Sequence, residues 1–274
     1  MERLKLAYST CPNDTFMFYG IADRIFKPSF QFDIILRDIE ELNKLAFEEK
    51  TDITKLSFFA YFKLADRYKI LNSGAALGRG CGPLLIAREK FDLKELKNKK
   101  IAIPGENTTA NLLFSIFCPE CKNKKEVLFS EIENEILKGN VDAGVIIHET
   151  RFTYKSRGLI KLVDLGEFWE KETGNPIPLG LIAVKREYEK EGKEFDNLLK
   201  QSIEYSFSNP EKAMPYIKQY AQEIENKVIN SHIELYVNNF SIKLGEEGRK
   251  AIKDLYRKAF EVGLIENLRE DIFL

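Results

Sequence analysis

The chain has 274 residues, too many for one small core, so its length predicts two lobes of ordinary domain size. Its 42 basic and 43 acidic side chains leave a formal net charge of −1, which argues against a nucleic-acid-binding protein that neutralises phosphates with excess lysine and arginine. No apolar run approaches the roughly 18 residues of a membrane-spanning helix, and the N-terminus contains no apolar secretion signal, so we expect a cytoplasmic protein without a membrane partner.

Strand-like and helix-like segments alternate along most of the chain, which is typical of an α/β fold with mainly parallel sheets. The apolar periodicity predicts strands over residues 4–8, 30–35, 51–56, 84–87, 100–105, 127–129, 145–147, 159–165 and 176–184. It predicts helices over residues 16–25, 39–48, 58–64, 109–117 and 131–138, and a helical remainder after the last strand. The sequence contains no internal repeat and no low-complexity segment.

The order of these elements predicts a first lobe that a complete second lobe interrupts. The first lobe is expected to comprise residues 1–92 and 183–274, and the second residues 93–182. This topology is that of the two-lobed periplasmic binding protein-like (type II) architecture, in which two crossings form a hinge and a central cleft. Such a cleft closes around a small polar or anionic molecule, and the fold alone does not say whether chemistry follows.

Three loops at predicted strand ends should converge on that cleft. Loops 9–15 and 105–110 each open a helix, so their backbone N–H groups suit an anion, although simple helix capping explains the first equally well. Loop 54–57 supplies a lysine cation and a hydroxyl at a strand end. The polar side chains that these loops contribute are Asn13, Asp14, Lys55, Ser57, Thr108 and Thr109.

His148 is one of only two histidines and follows the apolar run 145–147. In open α/β sheets, ligands bind beyond the carboxyl ends of the strands. An imidazole with an ordinary pKa of about 6.5 takes and returns a proton near neutral pH. His148 is therefore a candidate general base, although a histidine that only hydrogen-bonds a loop fits the local sequence as well. Glu149 can orient this ring only if the strand has already ended.

The cysteine spacing and the absence of nucleotide-binding, zinc-hydrolase and serine-hydrolase motifs predict a reaction that uses neither a metal nor a cofactor. Cys118 and Cys121 form a CxxC pair with no second CxxC and no histidines at a matching interval, so we expect two reduced thiols in a surface turn. The sequence lacks the GxxxxGK[ST], GxGxxG, HExxH and GxSxG motifs, so ATP, NAD, zinc hydrolysis and serine hydrolysis have no support.

Six groups of motifs between residues 9 and 180 are specific in combination. They are Ser-Thr-Cys-Pro-Asn-Asp-Thr-Phe at 9–16, Thr-Lys-Leu-Ser at 54–57, Ala-Leu-Gly-Arg-Gly-Cys-Gly-Pro at 76–83, Pro-Gly at 104–105 with Thr-Thr-Ala at 108–110, Ile-Ile-His-Glu at 146–149 with Arg-Phe-Thr-Tyr at 151–154, and Pro-Ile-Pro-Leu-Gly at 176–180. Together they resemble the 1,4-dihydroxy-6-naphthoate synthase family, and segments 236–241 and 245–248 are similar to its helical tail. Thr10, where many relatives carry proline, and the CxxC pair depart from the family.

The resemblance implies a lyase of the futalosine route to menaquinone that needs no metal or redox cofactor. Such an enzyme converts cyclic dehypoxanthinylfutalosine to 1,4-dihydroxy-6-naphthoate and releases the former sugar carbons as a three-carbon fragment. The resemblance also implies that His148 is the proton acceptor, and that segment 55–57, which includes Leu56, and the pair Thr109 and Ala110 bind substrate.

Two alternatives stay open. Chorismate dehydratase of the same pathway shares the fold, although segments 11–15 and 148–154 favour the naphthoate synthase. A cytoplasmic solute-binding protein could use the same cleft without chemistry. The expected partner in each case is a small molecule, and no obligate protein partner is inferred.

Overall fold

The computed structural model describes residues 3–222 and 224–274 and arranges them around two β-sheets. The strands are β1 (Leu4–Ser9), β2 (Phe32–Arg37), β3 (Ile53–Ser57), β4 (Tyr68–Ile70), β5 (Ala76–Gly78), β6 (Leu84–Ala87), β7 (Ile101–Ile103), β8 (Lys124–Glu126), β9 (Ala143–Ile146), β10 (Ile160–Asp164) and β11 (Ile177–Lys185). The helices are α1 (Pro12–Ala22), α2 (Ile39–Phe47), α3 (Phe58–Lys63), α4 (Thr109–Phe117), α5 (Ile132–Leu137), α6 (Thr150–Thr153), α7 (Leu165–Thr173), α8 (Glu189–Ser208), α9 (Pro210–Tyr220), α10 (Asn226–Tyr236), α11 (Asn239–Ile242) and α12 (Gly245–Glu261). In the described part of the chain, none of these helices is long and apolar enough to cross a membrane.

The first sheet combines the N-terminal strands with β11. Its order is β2-β1-β3-β11-β4, and β5 pairs with β11. β1 runs parallel to β2 and β3, whereas β11 runs antiparallel to its partners. The prediction that the entire C-terminal region is helical is wrong for its last residues. Ile70 at the sheet edge donates its N–H to the Ile272 carbonyl and accepts from the Leu274 N–H, because an edge strand leaves backbone groups to be paired.

The second sheet has the order β10-β6-β9-β7-β8. β7 runs parallel to β8 and β9, and β6 runs antiparallel to β9 and β10. β6 therefore belongs to this sheet, although the predicted boundary at 92/93 places it in the first lobe. The boundary at 182/183 likewise divides β11, which pairs within the first sheet along its length. The backbone hydrogen bonds between strands assign β6 to the second sheet and β11 to the first. The residues at which each lobe begins and ends stay a prediction.

Local sequence explains where the helices beside the cleft begin. α1 starts at Pro12 and not at the predicted residue 16, because the fixed φ and missing N–H of proline suit the first helical position. The Thr108 hydroxyl accepts a hydrogen bond from the Asn111 amide and caps α4, which starts at residue 109 as predicted. Both helices therefore begin at the loops that the sequence assigned to the cleft.

Two predictions about the segment after α4 are wrong. The strand expected at residues 127–129 lies at Lys124–Glu126, because these residues pair in parallel with β7 at the sheet edge. Cys118 and Cys121 form a disulfide instead of two reduced thiols. The turn brings their Cα atoms within 5.4 Å of each other, inside the range that a disulfide requires.

The glycines of segment 76–83 serve two purposes where the chain passes from the first sheet to the second. A Cβ atom added to Gly82 would lie 2.3 Å from the Cα of Gly166, so only glycine allows these backbones to approach. Gly80 has a φ of +66° and forms a turn. Close backbone approach and a turn therefore each occur at one position of this segment.

Candidate active site

A cavity lies at the carboxyl ends of β1, β3 and β9, lined by strand residues of the first sheet and by loop and helix residues beside the second. The lining includes eight of the nine predicted site residues, namely Asn13, Asp14, Lys55, Ser57, Thr108, Thr109, Ala110 and His148. The expectation that these loops meet in one cleft is confirmed, and their roles in catalysis and binding stay predictions.

Leu56 is the predicted site residue that does not line the cavity. Its side chain is fully buried in the hydrophobic core. Neighbouring residues of a strand point to opposite faces, so Lys55 and Ser57 face the cavity while Leu56 packs behind them. A contact between the Leu56 side chain and a ligand in this cavity is therefore ruled out in this conformation.

A buried ion pair between Lys55 and Asp14 lines the cavity. Lys55 Nζ lies 2.6 Å from Asp14 Oδ1, and both side chains are almost fully shielded from solvent. The other carboxylate oxygen of Asp14 accepts hydrogen bonds from the backbone N–H and the hydroxyl of Ser9. Because the Lys55 charge is matched by Asp14, this pair is neutral overall and contributes ordered polar groups instead of a free cation.

The hydroxyl groups of the cavity differ in what they can still donate. Thr109 donates its hydroxyl proton to the Leu179 carbonyl, and Thr108 donates to the Gly105 carbonyl. The Ser57 hydroxyl oxygen accepts from the Asn43 side-chain amide, which leaves its own proton for another acceptor. The amides of Thr109 and Ala110 occupy the first helical positions of α4, where backbone N–H groups have no partner within the helix. Ser57 and these two amides are thus the available neutral donors.

His148 stands in the turn directly after β9. The strand ends at Ile146, and His148 has a φ of +57°, a left-handed conformation that costs a non-glycine residue about 1–3 kcal/mol and is concentrated at functional sites. Its Nε2 atom is shielded from solvent and has no hydrogen-bond partner among the described residues. Burial lowers the pKa of His148 to about 4, so the ring is neutral at pH 7 and its basic nitrogen is not already protonated.

Arg151 holds the turn that carries His148. Its guanidinium donates to the carbonyls of Gly80 and Gly82 and forms an ion pair with Asp164 at 3.1 Å. Gly80 and Gly82 lie in segment 76–83, where the chain passes from the first sheet to the second, and Asp164 is the last residue of β10. The Arg151 side chain therefore joins these two segments to the turn that carries His148. The sequence motif 151–154 places Arg151 near the site, but only the structure shows what it binds.

Cys11, His148 and Glu149 are the one group of donor side chains within the described residues that could hold a metal ion. One ligand atom of each lies within 4.8 Å of the others. Sequence spacing did not indicate this group, because Cys11 comes from a loop far from the other two. Any ion there would engage the ring of the candidate base.

Comparison with known proteins identifies the family. The model of a family described as menaquinone biosynthesis matches residues 4–261. A Thermus thermophilus protein named 1,4-dihydroxy-6-naphtoate synthase is 42% identical over 96% of this chain and 96% of its own length. The chain belongs to the menaquinone biosynthesis family. A Streptomyces coelicolor protein of the same name is 38% identical over 98% of this chain and 97% of its own length.

Solved structures confirm the fold of this family member. A protein from Archaeoglobus fulgidus superposes with a TM-score of 0.91 at 33% identity, covering 96% of this chain and 98% of that one. The aliphatic sulphonate binding protein of Escherichia coli superposes with a TM-score of 0.66 at 11% identity, covering 100% and 94% of the two chains. The predicted two-lobed periplasmic binding protein-like fold is therefore confirmed.

The sequence analysis of this family member missed His232 and Tyr236 on α10. His232 is fully buried, and its Nε2 lies 2.9 Å from the Asn13 side-chain oxygen. Its ring stacks on that of His148 with 6.1 Å between centroids and lies 4.6 Å from the Tyr236 ring, which lines the cavity. The signal available in the sequence was the i, i+4 spacing of the two residues on one helix face.

Proposed function

We propose that this protein is a 1,4-dihydroxy-6-naphthoate synthase, a carbon–carbon lyase that converts cyclic dehypoxanthinylfutalosine to 1,4-dihydroxy-6-naphthoate. The observation that carries the proposal is His148, which lines the cavity at the strand ends and whose solvent-shielded Nε2 has no hydrogen-bond partner among the described residues. Two relatives with this name, similar over nearly their whole lengths, support the choice of reaction.

In the proposed mechanism, His148 removes a proton from the bound substrate through Nε2. The electron pair left by this proton forms a double bond in the departing three-carbon fragment as the carbon–carbon bond breaks. The pair of that bond passes to the ring that becomes aromatic, and protonated His148 returns the proton to the product. Aromatisation supplies driving force, so the protein needs a positioned base, shielding from water and donors for developing negative charge. The Ser57 hydroxyl and the amides of Thr109 and Ala110 are suited to that last role.

The substrate carboxylate is proposed to bind at the start of α4. Arg79 is exposed and bound to Glu247 and the Gly174 carbonyl, and Lys55 is paired with Asp14. Neither cation is free for an anion inside the cavity. The first amides of α4 carry partial positive charge and suit a carboxylate without further pairing.

The direct test is incubation of the purified protein with cyclic dehypoxanthinylfutalosine, followed by mass analysis of the product. We expect the naphthoate and a three-carbon fragment in equal amounts. Turnover of chorismate instead would identify the dehydratase alternative. Tight binding of the futalosine derivative without any product would identify a solute-binding protein.

The pH dependence of the free enzyme should reflect the low pKa of His148. The base must be neutral to accept a proton, and burial lowers its pKa to about 4, so kcat/KM should stay level from pH 7 to about pH 5 and fall on further acidification. The measurement is a pH series with circular dichroism at each point to confirm folding. An acid limb centred near 6.5 would contradict the shift, and an unchanged limb in an active His148→Gln variant would assign the titration to another group.

Activity should survive both chelation and loss of the disulfide. The proposed cleavage needs a base and hydrogen-bond donors, and Cys118 and Cys121 lie beyond the far end of α4 from the cavity. We expect the metal-stripped enzyme and the double Cys118→Ser, Cys121→Ser variant to retain turnover, with a lower melting temperature allowed for the variant. A loss of turnover that added metal restores would contradict the mechanism without a cofactor.

We also propose that the protein acts in the cytoplasm. A stable disulfide is uncommon in that compartment, so the redox state of Cys118 and Cys121 in cells bears on the question. Cell fractionation with thiol trapping would test it, and recovery of the protein outside the cytoplasm would contradict the proposal.

A further inference from the structure

The ring of His148 has one hydrogen-bond contact to a side chain that the proposed reaction does not use. Nδ1 of His148 lies 3.5 Å from Sγ of Cys11, a distance at which nitrogen and sulfur hydrogen-bond. Nε2, on the other side of the ring, has no partner among residues 3–222 and 224–274. The two ring nitrogens therefore have different surroundings, a thiol beside Nδ1 and no polar partner at Nε2.

A neutral imidazole carries its single proton on one nitrogen, and the hydrogen bond at the other nitrogen selects which. A base that acts through Nε2 needs its lone pair there, so the proton must reside on Nδ1. A buried Nδ1–H then requires an acceptor, since an unpaired buried donor costs about 1–3 kcal/mol. Sγ of Cys11 is the atom in place to accept it.

The surroundings of Cys11 keep it a neutral thiol with its sulfur turned to the ring. Burial and the nearby Glu149 carboxylate raise the pKa of this thiol well above its usual range, so it is not a nucleophile at neutral pH. Ligand atoms of Cys11 and Glu149 lie within 4.8 Å of each other. The sulfur of the neutral thiol keeps lone pairs that can accept a hydrogen bond from Nδ1–H.

The backbone of Cys11 is held firmly. Its N–H donates to the Ser9 hydroxyl oxygen, and its carbonyl accepts from the amides of Asp14 and Thr15 at the start of α1. Cys11 is thus the N-cap residue of a buried helix, and its side chain cannot follow a moving ring. This rigidity suits a group that orients another.

The second histidine provides an internal contrast. The Asn13 side-chain NH₂ donates to Asp14, so its oxygen faces His232 and must accept a hydrogen bond from Nε2–H. His232 is therefore protonated on Nε2 and bare on Nδ1. The two stacked rings are expected to hold opposite tautomers.

We propose that Cys11 is a positioning residue that holds His148 as the Nδ1–H tautomer and so presents the Nε2 lone pair to the cavity. The inference of a proton on Nδ1 rests on the proposed function, in which Nε2 is the base, whereas the tautomer can be measured without any turnover. Cys11 does not touch the substrate in this arrangement, and its effect passes through the ring of the base.

Nitrogen NMR of protein labelled with ¹⁵N-histidine at pH 7 reads the tautomers directly, because the chain contains only two histidines. The His148→Gln variant assigns the signals. We expect a protonated Nδ1 and a bare Nε2 for His148, and the reverse for His232. A protonated Nε2 in His148 of the wild type would overturn the proposal, whatever reaction the protein catalyses.

Substitutions at Cys11 test the role of the sulfur. In Cys11→Ala, we expect His148 to lose its preference for Nδ1–H and kcat to fall roughly 10-fold to 10²-fold with little change in KM, a part of what a positioned base contributes. Cys11→Ser, which keeps an acceptor, should restore the tautomer and most of the rate. Cys81→Ala removes the other buried free cysteine, which lines the cavity but is not the residue beside Nδ1, and should leave the His148 tautomer unchanged.

The outcomes separate this proposal from the proposed function. Wild-type spectra with the expected tautomers and no naphthoate product would overturn the reaction and leave the positioning role of Cys11 standing. A folded Cys11→Ala variant that keeps the Nδ1–H tautomer would overturn the positioning role even if the reaction is correct. If Cys11→Ala does not fold, the wild-type spectrum and the Cys11→Ser variant decide the question.

Discussion

The His148→Gln variant is expected to lose roughly 10²- to 10⁴-fold in kcat, the contribution typical of a positioned general base. Glutamine fills similar space but cannot accept a proton at neutral pH, so the cavity should still bind the substrate. His148 lies in a strained turn, lines the cavity and has an Nε2 atom without a hydrogen-bond partner among the described residues. Single-turnover rates and calorimetric binding of the product measure the two effects separately.

The other histidine supplies the matched control for this prediction. His232→Gln removes a fully buried imidazole that binds Asn13 and stacks on His148, but it leaves the base in place. We expect this variant to lose stability while its turnover remains well above that of His148→Gln. Equal losses of kcat in the two variants, or near wild-type turnover by His148→Gln, would contradict the assignment of His148 as the base.

Asp14→Ala should lower the free energy of unfolding by about 3–5 kcal/mol, because it leaves the Lys55 charge buried without its partner. The pair is separated by 2.6 Å, and its side chains are only 6% and 1% exposed, so neither charge can be hydrated after the other is removed. Urea denaturation followed by circular dichroism measures the loss. The double variant Asp14→Leu, Lys55→Met removes both charges and should recover much of the stability.

The exposed ion pair between Arg3 and Asp33 is the control for burial. Its atoms are 2.8 Å apart, close to the buried pair, but the side chains are 52% and 61% exposed. Asp33→Ala should therefore change stability by at most about 1 kcal/mol. If Asp14→Ala costs no more than Asp33→Ala, the buried pair is not the structural anchor that its geometry indicates.

The local parts of the site could be predicted from the sequence. The apolar run before His148 predicts a strand end, and loop 105–110 predicts a helix that begins at residue 109, because both depend on side chains a few positions apart. The resemblance of several short motifs, in the right order along the chain, also predicted the family that the comparison shows.

Some details could not be predicted from the sequence, because they depend on how side chains, strands and turns are arranged in three dimensions. Leu56 was assigned to the site with its neighbours, yet strand alternation and the surrounding core turn it away from the cavity. β6 was assigned to the first lobe by its place in the chain, yet its hydrogen bonds place it in the second sheet. The Cys118–Cys121 disulfide depends on the shape of one turn.

The sequence by itself determined the alternation of strands and helices, the start of α4 at the cleft and the candidate base, because these depend on short-range sequence patterns. Only the tertiary structure decided which distant residues act on that base. Cys11 and His148 are separated by 137 positions, and Asn13 and His232 by 219. Contacts of this kind arise because packing the two sheets and α10 together buries polar groups that must then find partners in one another. No local pattern in the sequence records that requirement.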